Sequence, residues 1–157
     1  MRVGLMSRQS LVVLWLMMFF RLMLGQETVT PRAGVGIIIG EPTGVSFKYW
    51  QSPTQAFAAA AAWSFRDKAA VHLHLDYLFH HPFTQEIQQG NLASYFGLGA
   101  RSKFSDAILL GIRIPVGINY FFTGAPLEFF IEFVPIMELI PATELKINGC
   151  FGLRYYF

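Results

Sequence analysis

The last thirteen residues, 145–157, alternate between apolar and polar or small side chains, and the chain stops on the aromatic Phe157. Leu145, Ile147, Phe151, Leu153, Tyr155 and Phe157, with Gly149 among them, fall on one side of an extended strand. Lys146, Asn148, Cys150, Gly152, Arg154 and Tyr156 fall on the other. A terminal strand of this kind, left open along one edge, is a template for aggregation, and pairing on both sides removes the hazard. A closed barrel gives every strand two neighbours, the last one included.

The rest of the chain is compatible with that closure. Apolar residues make up 54% and charged residues only 14% of the 157 positions, against a usual charged share of about a quarter. Such a surface suits lipid, yet beyond residue 25 no run of about 18 apolar residues exists to cross a bilayer as a helix. The apolar residues are spread over strands instead. The length fits one domain, 26–157, with one core or one small barrel.

Residues 1–25 have the layout of a signal peptide. Arg2 and Arg8 form a basic start, 11–20 an apolar stretch, and Gly25-Gln26 a candidate cleavage point, with Arg21 interrupting the apolar run. Removing them also removes Arg2, Arg8 and Arg21, which leaves nine basic residues against ten acidic ones. No basic face for nucleic acid remains. The single cysteine, Cys150, gives an exported fold no internal disulfide.

Eight strand-like runs follow, at 33–40, 44–50, 55–65, 69–79, 91–103, 110–122, 127–137 and 145–157. Between them stand turn-forming residues: Glu41-Pro42-Thr43-Gly44, Gln51-Ser52-Pro53-Thr54, Arg66-Asp67-Lys68, Thr123-Gly124-Ala125-Pro126 and Pro141-Ala142-Thr143-Glu144. Short links favour antiparallel neighbours. The fold class is therefore all-β, an eight-stranded antiparallel up-and-down (meander) barrel of the transmembrane type. In the sixth run Ile112, Ile114, Val116, Ile118 and Tyr120 oppose Gly111, Arg113, Pro115, Gly117 and Asn119. In the fourth, Val71, Leu73, Leu75, Tyr77 and Phe79 oppose Ala70, His72, His74 and Asp76. In the second, Val45, Phe47 and Tyr49 oppose Ser46, Lys48 and Trp50. The wholly apolar face suits lipid and the mixed face a narrow wet interior. Tyr49, Trp63, Phe65, Tyr77, Phe79, Tyr120 and Tyr155 would form the interfacial girdles. The five alanines 58–62 favour helix by propensity, so the third strand rests on its neighbours and on the phase of Phe57, Trp63 and Phe65.

Four segments carry a family likeness. They are Gly36-Ile37-Ile38-Ile39-Gly40-Glu41-Pro42-Thr43-Gly44-Val45-Ser46-Phe47-Lys48-Tyr49-Trp50, His72-Leu73-His74-Leu75-Asp76-Tyr77-Leu78-Phe79-His80, Gly111-Ile112-Arg113-Ile114-Pro115-Val116-Gly117-Ile118-Asn119-Tyr120 and Gly152-Leu153-Arg154-Tyr155-Tyr156-Phe157. Together they resemble a family of small bacterial outer-membrane β-barrel proteins of unknown function, first noticed among spirochaete surface proteins. The resemblance implies an outer-membrane location, contact with outer-membrane lipid, and a structural or surface-associated role. It also implies that Phe151, Leu153, Tyr155 and Phe157 form a C-terminal assembly signal for the barrel-assembly machinery, with Cys150 departing from the polar residue often found in such signals.

An eight-stranded barrel is just wide enough for side chains to fill, so the lumen is expected to be plugged, with no pore for large solutes. The inward face collects Lys48, His72, His74, Asp76, Arg113, Asn119, Glu132, Asn148 and Arg154 as a polar network, joined by Arg101, Lys103, Glu128 and Lys146. If the Pro141 to Glu144 turn centres the last hairpin, Glu132 falls opposite Arg154 and pairs with it. His72, His74 and Asp76 share one strand face, but side chains two residues apart on a single strand converge poorly on a metal. They are expected to be structural, with His80 and His81 outside the lumen. No metal, cofactor or catalytic residue is assigned.

Two alternatives stay open. A lipocalin-like exported soluble barrel would turn the apolar face inward around a small apolar ligand, and the short first two strands favour it. A lipid-modifying hydrolase would need a Ser, a His and an acid close together at the lipid boundary; Ser94 and Ser102 are available without a surrounding signature. With both termini on the periplasmic side, the turns near Glu41, Asp67, Ser105 and Ala142 would face outward, all of them short, and the longest link, 80–90, would face the periplasm. That reverses the usual pattern of short periplasmic turns and long outer loops.

Overall fold

The computed structural model describes residues 32–40, 43–64, 70–83, 90–105 and 108–157. Residues 1–31, where the signal peptide is expected, the Glu41-Pro42 and Arg66-Asp67-Lys68 turns, Phe65 and most of the link after the fourth strand lie outside the described residues. Nine extended segments succeed one another: β1 (Ala33–Gly40), β2 (Thr43–Ser52), β3 (Gln55–Ser64), β4 (Ala70–Pro82), β5 (Gly90–Phe104), β6 (Ile108–Arg113), β7 (Val116–Phe122), β8 (Leu127–Ile140) and β9 (Glu144–Tyr156). β6 and β7 are two halves of one strand, both paired with β5 and β8, so the wall has eight strands. Every neighbour is antiparallel, and β1 pairs with β9 to close the ring. The meander read from the turn residues is the observed topology.

The ladder fixes the shape of the barrel. From Tyr156, opposite Gly34, the register passes through Lys48, Ala58, Asp76, Gly99, Arg113 and Ile136 and returns to β9 at Lys146, ten residues from its start. For eight strands, a stagger of this size goes with a strand tilt of roughly 40°. The interior is then as narrow as the sequence implies.

The one interruption comes from proline. The predicted run 110–122 breaks at Ile114 and Pro115, where Pro115 has no N–H to give β5 and Pro135 on β8 none to give Ile114. Two backbone bonds bridge the break, Gly97 N–H to Pro115 O at 2.8 Å and Ile114 N–H to Pro135 O at 2.9 Å.

Side chains divide by parity along every strand. Ile37, Phe47, Leu75, Leu98, Ile118, Ile131 and Leu153 are exposed on the outside, while Lys48, Asp76, Arg113, Asn119, Glu128 and Arg154 are buried inside. This orientation excludes the lipocalin-like alternative, which required the apolar face inward. Tyr49, Phe57 and Tyr77 share one outward row across β2, β3 and β4, near the end that carries Ala33 and Phe157. Trp63 stands toward the opposite end, also exposed.

The alanine run forms a strand because the lumen needs small residues there. Ala58 lies in register between Lys48 and Asp76, Ala60 between Ser46 and His74, and Ala62 between Gly44 and His72. Each is buried, and each leaves room for long neighbours, which outweighs helix propensity. Gly99 and Gly117 serve the same end: a Cβ at Gly99 would collide with the Asp76 carboxylate, and one at Gly117 with the Tyr95 ring. Replacing Gly99 by Leu should abolish the compact, heat-modifiable band of the folded barrel on a denaturing gel. Gly124→Ala, in a turn with open space around it, should leave that band unchanged.

Candidate functional site: the lumen charge network

Inward polar side chains gather in three groups around four carboxylates, Glu128, Glu132 with Asp76, and Glu138. Glu128, wholly buried, accepts hydrogen bonds on Oε1 from Lys48 Nζ at 2.6 Å and Asn119 Nδ2 at 2.7 Å. On Oε2 it accepts from Arg154 Nη1 at 3.1 Å and the Tyr156 hydroxyl at 2.6 Å. Its partners come from β2, β7 and β9, so one carboxylate ties together strands on opposite walls. Arg154 also donates from Nε to Ser46 Oγ at 2.7 Å, and its guanidinium lies 3.7 Å from the centre of the Phe130 ring. Lys48 Nζ is 2.9 Å from His80 Nε2 and 4.4 Å from the Trp50 ring centre.

In the second group, Glu132 accepts from Arg113 Nη2 at 2.7 Å and from the Tyr95 hydroxyl at 2.9 Å. Arg113 Nε lies 3.0 Å from Asp76 Oδ1, and His74 Nε2 is 3.6 Å from Asp76 Oδ2. The third group is Glu138, which accepts from Arg101 Nη2 at 3.1 Å and Lys146 Nζ at 2.8 Å. Lys146 is also 3.3 Å from the exposed Glu144. Apolar clusters fill space between these groups, Ile38 with Ala60 and Phe130, and Ala58 with Leu78 and Tyr95. Opposite charges in so narrow a space neutralise one another, and what they form is a packed interior.

Of the residues assigned from sequence, Lys48, Asp76, Arg113, Asn119, Glu132 and Arg154 enter these groups directly, with His74 at their edge. His72 is buried on the inner face beside Ala62 and Lys103 in register, and Asn148 is half-buried on β9. Phe151, Leu153, Tyr155 and Phe157 are exposed on the outside.

Two expectations are corrected. Glu132 does not pair with Arg154: the β8 to β9 register sets Glu132 opposite Cys150 and Glu128 opposite Arg154. The hairpin is centred on Pro141, two residues earlier than the turn residues suggested, with Glu138 opposite Glu144. A shift of this parity keeps every side chain on its predicted face and changes only its partner. His80 is inside the barrel and not outside, because β4 continues to Pro82 and carries it to Lys48; His81, one residue on, is exposed.

Sequence reading missed Ser46, Tyr95, Glu138 and Tyr156 as network members. Their inward parity was the available signal, since Tyr156 alternates with Tyr155 and Tyr95 with Phe96. Among the described residues, no group of three or more His, Cys, Asp or Glu side chains is arranged to hold a metal. Ser94 Oγ meets the backbone carbonyl of His81 at 3.5 Å, not an imidazole.

This geometry defines a class: a small eight-stranded up-and-down barrel, apolar outside and charged inside. The particular likenesses are to solved barrels. The N-terminal β-barrel domain of OprF from Pseudomonas aeruginosa matches with a TM-score of 0.62 at 14% identity, over 81% of this chain and 98% of that one. The outer membrane enzyme PagL matches with a TM-score of 0.54 at 13% identity, over 79% and 98%. At such identities the likeness is one of fold. No protein-family model matches the chain, and no curated protein does.

Glu128→Gln, which leaves Lys48 and Arg154 buried against a neutral amide, should lower unfolding stability in urea by about 3–5 kcal/mol. In double-mutant cycles Arg154 should couple to Glu128 more strongly than to Glu132; the reverse order would contradict the register.

Proposed function

We propose that this chain is an integral protein of the bacterial outer membrane, exported by residues 1–25 and folded as a transmembrane barrel with a side-chain-filled lumen. Its role is structural or surface-associated, as in the family of small outer-membrane barrels of unknown function that the sequence resembles. One observation carries this reading: Lys48 and Glu128 are 0% exposed inside, while every strand presents large apolar residues outward. In water that partition would expose a continuous apolar surface; in a bilayer it is the stable one. The outward aromatic row Tyr49, Phe57 and Tyr77 and the terminal Tyr155 and Phe157 support it as an interfacial girdle. The same outward faces of Phe151, Leu153, Tyr155 and Phe157 fit their reading as the signal for the barrel-assembly machinery.

A plugged lumen makes neither a solute pore nor an obvious catalytic centre, and we assign no enzymatic activity. The protein should fractionate with detergent-extracted envelope and migrate faster unheated than boiled. Recovery in the soluble fraction without detergent would sink the membrane reading. Reconstituted into planar bilayers, it should give no porin-sized conductance steps. Phe157→Asp should reduce the membrane-assembled fraction several-fold in cells; unaltered assembly would remove the sorting role of the terminus.

A further inference from the structure

β1 is the shortest strand of the wall. It ends at Gly40, opposite Cys150, whereas β9 runs on to Glu144. Residues 144–149 therefore have β8 on one side and, among the described residues, no partner strand on the other. Six residues at about 3.3 Å each, tilted by roughly 40°, make a step of about 15 Å in the height of the wall. Phe157 N–H bonds Ala33 of β1 and Tyr156 N–H bonds Pro126 on the β8 side, so odd-numbered residues of β9 address β1. The N–H and C=O groups of Leu145 and Ile147 thus face the open side. These residues also present highly exposed apolar side chains outward, 74% for Leu145 and 60% for Ile147. Hydrocarbon satisfies those side chains but not the backbone beside them.

At this end of the lumen, among the described residues, Lys146 of β9 and Arg101 and Lys103 of β5 outnumber the carboxylates of Glu138 and Glu144. Arg101 and Lys146 share the single carboxylate of Glu138. Arg101 is 6% exposed and its Nη1 has no hydrogen-bond partner. Lys103, two residues further along the same inward face, makes no ion pair among the described residues. Glu144 opposes them, but from an exposed position on the rim. Guanidinium and ammonium donors left over beside a buried, shared carboxylate fit phosphate oxygens. A free anion would meet these donors and leave Leu145 and Ile147 uncovered, whereas an amphiphile meets both.

We propose that this end of the lumen, open sideways above β1, binds the net-anionic, phosphate-bearing headgroup of a membrane lipid whose acyl chains lie over Leu145 and Ile147. The site rests on the membrane reading. The test uses the full-length chain folded in a non-ionic detergent, with native mass spectrometry to count bound lipid during titration with phosphatidic acid, phosphatidylcholine of the same chains, or inorganic phosphate. One phosphatidic acid should be retained per barrel, about tenfold more tightly than phosphatidylcholine. Lys103→Gln and Lys146→Gln should each weaken it by roughly three- to tenfold, while Glu144→Gln should strengthen it. Lys103→Gln breaks no ion pair among the described residues, and its heat-modifiable band verifies folding. Equal affinity for the two lipids, or unchanged affinity in a folded Lys103→Gln protein, overturns the site while the membrane reading stands. Inorganic phosphate binding as tightly as phosphatidic acid overturns the lipid as its occupant. A parent chain that stays soluble without detergent overturns both readings.

Discussion

A carboxylate with no exposed surface persists in a folded protein only where its charge and its lone pairs are met by the protein itself. Glu128 satisfies that condition with two cations, an amide and a phenol, drawn from β2, β7 and β9. The demand extends outward from there. Lys48 and Arg154 reach Glu128 only because Ala58 and Ala60 leave space on β3, and Gly99 is needed to admit Asp76 beside Arg113. Removing Glu128 would leave two buried cations opposed, which is why the interior tolerates little change at this level.

The outer face follows from the same constraint. Strands alternate, so placing the charged side chains of the network inward places Ile37, Phe47, Leu75, Ile131 and Leu153 outward. Closing β1 onto β9 then satisfies the backbone along most of the ring, as an apolar environment requires. The exception is the upper part of β9, where the wall beside it is low and the adjoining charges are only partly matched. Around Glu128 the lumen is filled by buried side chains, whereas at the other end Lys146 and Glu144 are partly exposed.

Period-two alternation made the faces legible from sequence, and Lys48, Asp76, Arg113 and Arg154 were placed correctly because face depends only on parity. Partners were not legible, because they depend on where each turn begins. A hairpin centred two residues earlier exchanged Glu132 for Glu128 as the partner of Arg154. Strand ends were equally uncertain, and three further residues on β4 brought His80 into the lumen. The alanine run shows the limit of local propensity: Ala58, Ala60 and Ala62 are selected by the size of their cross-strand neighbours, which lie far away in sequence.

The central claim is that the apolar outer face meets lipid while the charged inner face does not, and the two tryptophans beyond residue 25 report on it separately. Trp63 is exposed on the outside, whereas Trp50 lies against Lys48 and His80 in the lumen. Fluorescence should be measured in bilayers with bromine on the acyl chains, using chains without residues 1–25 in which one of the two is replaced by Phe. Strong quenching of the Trp50→Phe protein and weak quenching of the Trp63→Phe protein is the expected result; the opposite order, or no quenching of either, would contradict the account.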